Sequence, residues 1–390
     1  MFKKSLAAVA LLGAFAGSAF AADVTLYGVV DEGFLYTHKD TDVPGSDAGS
    51  DAVDKLELKS GIQAGSRWGL KGTEDLGNGL KVGFILESGF NADDGTQGVS
   101  GTMFNREASL NVMGPFGQLS LGKIGAITQG TSSWGKVGAV SAFGTSYGPA
   151  NVANATNVFS APTSVADNMI AYQTPKFAGF TVYAQYSMGN SKTGTPTQVE
   201  NKSSTDRYYA LGATYANGPV NLYFAVDSIN YASYFDNLTP STKDVDDSLT
   251  VAFGGSYDFS VVKVFAGAQY FDEVDAGSIG GLKSGVGLND SGKLEGYALQ
   301  ASVSAPLAGG TGYFGVGYLD ASEADSVAAA DGVDVKYYVT SVGYKYDLSK
   351  RTNVYSVLSY AKGDRDRAAA DGVDTKPSTV GFGIGLRHNF

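Results

Sequence analysis

The sequence predicts an all-β protein, a single sixteen-stranded antiparallel transmembrane β-barrel whose long third loop folds inward. Three observations carry this expectation. Apolar and polar residues alternate with period two in one segment after another. Tight turns and long polar connections succeed each other along the whole chain. No run after residue 22 reaches the length of a membrane-crossing helix, so any crossing must be made by strands. Composition narrows the field further. The 390 residues include 53 Gly and only 10 Pro, which excludes collagen, and 23 Tyr with 21 Phe exclude a disordered chain. Two His and no Cys leave no ligand set for zinc or an iron–sulfur cluster and no thiol nucleophile, so neither a metal nor another cofactor is expected. A net charge of -11 excludes general nucleic-acid binding, because a phosphate backbone demands a basic surface.

Residues 1–21 read as a secretory leader. Lys3 and Lys4 give the positive start, Leu6 to Ala16 a short apolar stretch, and Ala19-Phe20-Ala21 the small-x-small cleavage pattern. Removing it takes two lysines from the 28 basic residues and leaves 26 against 39 acidic, a net charge of -13. The remainder, 22–390, forms one domain. Its first strand, Val24 to Tyr36, places Leu26, Val30 and Phe34 on one face and Thr25, Tyr27 and Asp31 on the other. A second, Leu58 to Gly72, sets Leu58, Ile62, Ala64, Trp68 and Leu70 against Lys59, Gln63, Arg67 and Lys71. A Gly-Asn-Gly turn at Gly77 to Gly79 leads into the return strand Leu80 to Phe90.

The same unit recurs to the end. Short turns fall near 114–117, 175–179, 217–219, 257–260, 306–310 and 347–350. Long connections fall at 38–55, 92–102, 125–166, 189–205, 231–247, 273–292, 321–335 and 363–377. Sixteen strands, joined by seven short turns and eight long loops, leave about 23 residues per strand plus connection and no room for a second domain. The last strand alternates Val380, Phe382, Ile384, Leu386 and Phe390 outward with Gly381, Gly383, Gly385 and Arg387 inward, ready to close on the first. A secreted β-sandwich rarely reaches sixteen strands, and a solenoid would show a fixed period. The one verbatim repeat, AAADGVD at 328–334 and 368–374, falls in two loops.

Several stretches resemble the general porins of Gram-negative bacteria, the betaproteobacterial type in particular. They are VTLYG at 24–28, SRWGLKGTEDLGNGLK at 66–81, FNREASL at 104–110, GPFGQLSLGK at 114–123, DNMIAYQTPKFAGFTV at 167–182 and the terminal GLRHNF. The resemblance implies a homotrimer of barrels in the outer membrane that passes ions and small hydrophilic solutes by passive diffusion. It also implies a third loop that folds into the barrel and forms the constriction, and a terminal Phe390 offered to the barrel-assembly machinery; separately, the acidic loops would meet lipopolysaccharide phosphates through divalent cations. Independently of the family, 125–166 is the longest connection, and Trp134, Phe143, Tyr147 and Phe159 make it too apolar for open solvent.

Charge along the chain is uneven. Between Ala108 and Ala166 there is no Asp or Glu, whereas Lys123 and Lys136 stand in that span. Arg67 and Lys71 lie on the polar parity of the second strand, and Arg106 matches the position where the resemblance places a constriction arginine. Rings of Arg and Lys favour anions, so Arg67, Lys71, Arg106, Lys123 and Lys136 are the candidate selectivity residues, and the channel leans to anions. Lys123 keeps the outward parity of Leu119 and Leu121 unless Gly122 bends the strand. Most general porins set an acidic loop against the basic wall, and this loop departs from that pattern. Acidic mouths pull the other way: Asp40, Asp42, Asp47, Asp51 and Asp54, with Asp244, Asp246, Asp247, Asp331, Asp334, Asp371 and Asp374. Neither His38 nor His388 has a serine partner, so catalysis is not expected. A substrate-specific channel and an adhesive barrel with a filled lumen are the alternatives.

Overall fold

A computed structural model describes residues 24–42, 52–189, 199–202, 204–232, 246–285, 293–324, 333–367 and 375–390. The leader, both copies of most of the repeat, and Asp47, Asp51, Asp244, Asp331, Asp371 and Asp374 lie outside the described residues. In chain order the strands are β1 (Thr25–Asp42), β2 (Val53–Ser60), β3 (Arg67–Gly77), β4 (Leu80–Gly89), β5 (Glu107–Gly114) and β6 (Gly117–Gly125). They continue with β7 (Val165–Gln173), β8 (Phe180–Ser187), β9 (Arg207–Asn217), β10 (Val220–Asn230), β11 (Leu249–Asp258) and β12 (Lys263–Asp275). The last five are β13 (Lys293–Leu307), β14 (Gly310–Glu323), β15 (Val333–Asp347), β16 (Thr352–Arg367) and β17 (Lys376–Asn389). All neighbours are antiparallel, and β17 pairs with β1 from Val29↔Asn389 to Asp42↔Lys376, which closes the sheet into a barrel.

Seventeen segments make sixteen staves because β2 and β3 share one place. The outer half of β1 pairs with β2 (Glu32↔Ser60 to Lys39↔Val53) and its inner half with β3 (Thr25↔Lys71 to Val29↔Arg67). The expected continuous strand Leu58 to Gly72 is therefore broken at 61–66. Gly61 turns at φ +72°, and the inward Asp31 carboxylate accepts the Ala64 N–H. Ile62, expected on the apolar outer face, is instead fully buried in a cluster with Leu35, Phe143 and Tyr147. The bonds that make this break come from distant residues, so no local pattern announces it.

The wall turns its apolar side outward. Leu26, Phe34, Leu211, Phe253, Val316, Val342 and Ile384 are all exposed, flanked by two aromatic belts. Toward the short turns, Phe180 stacks on Tyr215 at 4.6 Å and Tyr257 on Phe259 at 4.5 Å. Toward the long loops, Tyr186 meets Tyr209 and Tyr318 meets Tyr338, each at 5.0 Å. A continuous exposed apolar band edged by aromatic girdles is compatible with a lipid environment and not with water. Phe390 extends the closing pair by exchanging two backbone hydrogen bonds of 3.1 Å with Gly28. Its ring and the Arg67 carbonyl oxygen both lie where a Gly28 side chain would be, which is why the position tolerates no Cβ.

Candidate functional site

The barrel core is made where the connection between β6 and β7 meets the inward side chains of the wall. Trp134, Val140, Ala150, Val158 and Phe159 of this connection are essentially inaccessible. Its backbone is fastened by inward hydroxyl and amide groups. The Ile127 N–H donates to Gln185 (3.0 Å), Ala142 N–H to Ser302 (2.9 Å), Ala153 N–H to Ser341 (3.1 Å) and Ser160 N–H to Gln269 (2.6 Å). Gln300 and Ser359 donate to the Val140 and Ala150 carbonyls. Near its start Asp227, on β10 and 1% exposed, accepts hydroxyl hydrogens from Thr128 (2.6 Å), Tyr208 (3.0 Å) and Thr250. The connection after β12, expected to be a polar loop, joins this core. Ile279 and Leu282 are fully buried, and Ser278 bonds to Ser160 and Ala161.

Beside that core, β1, β3, β4, β5 and β17 bring together a charged group. Glu87 accepts from Arg106 Nε at 2.7 Å and from the Tyr27 hydroxyl at 3.1 Å, and Arg67 Nε stands 3.7 Å away. Glu107 accepts from the Ser133 N–H (2.9 Å), the Ser133 hydroxyl (3.0 Å) and the Ser109 hydroxyl (2.8 Å), pinning the connection to β5. Asp31 accepts from Tyr355 and Ala64, and Arg387 lies within electrostatic range of both Asp31 and Arg67. Lys71 places its ammonium 5.1 Å from the centre of the Tyr27 ring. Lys136 bonds to the Ser133 carbonyl at 2.8 Å, and burial lowers its proton affinity while nearby Glu107 raises it.

Acids and bases differ in what water sees. Asp31 and Glu107 are buried as whole residues, and the Glu87 side chain is 9% accessible, against 23% and 20% for the Arg67 and Arg106 side chains, while Lys71 is exposed. The carboxylates are buried, and the cations beside them keep surface that water can reach. Of the five candidate residues, Arg67 and Arg106 share Glu87, with Lys71 and Lys136 at the margins of the same group. Lys123 is elsewhere. Gly122 does adopt φ +132° and the ladder slips between Gly122 and Ile124, but Lys123 forms its ion pair with Asp167 at 2.6 Å. Glu87, Glu107 and Asp227 were not singled out in the sequence, although each lies on an inward parity. Arg387 is inward, as its parity predicts, and joins this group.

A closed wall with lipid-facing girdles around a charged interior defines an outer-membrane diffusion channel rather than an enzyme. The sequence matches the family described as Gram-negative porin over residues 7–366, and the chain belongs to that family. It is 35% identical to an outer membrane porin protein of Bordetella pertussis and 30% identical to outer membrane porin protein 32 of Delftia acidovorans, each over the full length of both chains. Among solved structures it is similar to an anion-selective porin from Comamonas acidovorans, with a TM-score of 0.64 and 26% identity, covering 95% of this chain and 100% of the other. The protein is accordingly a passive channel of the Gram-negative outer membrane.

Proposed function

We propose that this porin prefers anions and that the 126–164 connection narrows its lumen beside Arg67, Arg106, Lys71 and Lys136. The observation that carries the reading is the difference in burial: three buried carboxylates beside five water-accessible or half-buried cations, Arg387 included. A permeating ion feels the nearest unscreened charges most, and screening limits a distant acidic mouth to about 8 Å at physiological salt. The anion-selective porin of Comamonas acidovorans supports the same direction. In this reading Lys123 serves the wall rather than the passage. The chain acts as a homotrimer, as family resemblance suggests, after removal of residues 1–21, with 22–390 as one barrel domain. Phe390 offers its aromatic ring to the assembly machinery, and lipopolysaccharide is a partner of the outer surface.

The test is the zero-current potential of the purified protein in a planar bilayer under a KCl gradient. Anion selectivity is expected, and Arg67→Ala combined with Arg106→Ala should shift it toward cations severalfold, since Glu87 is left without either cation. A cation-selective wild type, or a double variant of unchanged potential, removes these residues from the role.

A further inference from the structure

Between the 126–164 connection and the short turn joining β15 to β16 lies a cavity of about 690 Å3. This volume falls within the range of small-molecule sites. Its rim is unusually basic: Lys345, Lys350, Arg351 and Arg387 face one carboxylate, Asp347, which already pairs with Lys345 at 3.2 Å. Arg387 donates to the neutral Asn389 side chain (3.2 and 3.3 Å) and feels Asp31 only through space, and among the described residues no carboxylate forms an ion pair with Arg387, Lys350 or Arg351. Two lining amides are incompletely used. Asn353 and Gln63 are 7% and 5% exposed, and the carbonyl oxygen of each has no hydrogen-bond donor. The opposite wall is aromatic, with Phe143 5.6 Å from Tyr313 and 5.9 Å from Tyr147.

We infer that this cavity is a binding site for phosphoryl dianions, either free phosphate or a small phosphorylated solute. Guanidinium and ammonium groups without carboxylate partners supply charge-assisted hydrogen bonds, and a guanidinium fork matches a phosphoryl group in two places. A solute bearing hydroxyls would meet the amide carbonyls after a modest side-chain rotation, and its ring would lie on Tyr313 and Phe143. The cavity stands at the short-turn end of the lumen and shares Arg387 with the charged group around Glu87. The inference rests on the lumen being open, but not on which ion the narrowest point prefers.

The test uses the purified full barrel in a planar bilayer, with inorganic phosphate or glucose 6-phosphate added at fixed ionic strength while chloride current is read. Current should fall saturably. In Lys350→Ala with Arg351→Ala, both on an exposed turn, half-saturation should rise at least fivefold with single-channel conductance in KCl little changed. Saturation by glucose 6-phosphate alone would support the site with the aromatic wall holding the sugar. Saturation by neither probe, or equal half-saturation in the double variant, overturns it. A cation-selective potential together with saturable block lost in the variant would keep this site while refuting the proposed ion preference.

Discussion

Replacing Glu87 by glutamine removes one negative charge from the group while retaining an oxygen for Arg106 and the Tyr27 hydroxyl. Arg67 and Arg106 then share no carboxylate and relax toward water. One extra unit of positive charge about 7 Å from a passing ion contributes ~0.6 kcal/mol in water. Screening over about 10 Å in 0.1 M salt roughly halves that, to ~0.3 kcal/mol. Chloride gains this amount and potassium loses it, so their permeability ratio should rise by about threefold. The assay is the reversal potential of Glu87→Gln against wild type at matched salt, with the shift shrinking as ionic strength rises. A potential that stays put at low salt, or moves toward cations, would refute the idea that Glu87 tempers the field of the two arginines.

Three further outcomes follow from the packing. Asp227→Asn leaves three hydroxyls with a poorer acceptor, at a cost of about 1–3 kcal/mol, and should release the Thr128 end of the connection. Noisier single-channel current from an intact barrel is expected, and quiet traces would argue that the other fastenings suffice. Gly28→Val should press on the Phe390 ring and the Arg67 carbonyl and lower the temperature at which the folded barrel unfolds on a gel, by about 1–3 °C for ~1–2 kcal/mol. Phe390→Ala in the same chain should restore part of the loss, and simple additivity of the two changes would deny the contact. Ser359→Ala with Ser341→Ala should raise protease sensitivity near Ala150 and Ala153 without altering strand content by circular dichroism. Resistance equal to wild type would show that these two hydroxyls do not hold the segment.

Period-two alternation made the wall legible, because lipid on one side and polar or packed groups on the other impose it on every strand. Val357↔Gly383 and Phe34↔Ile384 fall on the parities read from the last and first segments. The break at 61–66 was hidden because its causes, Asp31 and Tyr147, are distant in sequence. Glu107 stands one position before the acid-free span, and Glu87 lies on a strand rather than on the loop that carries the constriction pattern. Ile279 and Leu282, three apart in a connection taken as polar, were a signal of burial that composition averaged away.

The fastened connection also has a mechanical meaning. A sheet rolled into a tube is stiff along its strands but bends easily across them, so a barrel of this girth would flatten under the lateral pressure of the bilayer. Bonds from the same segment to Glu107 on β5, Gln269 on β12 and Ser341 on β15 tie widely separated parts of the circumference together. The segment therefore works as a spoke, holding the cross-section round whatever ions pass beside it.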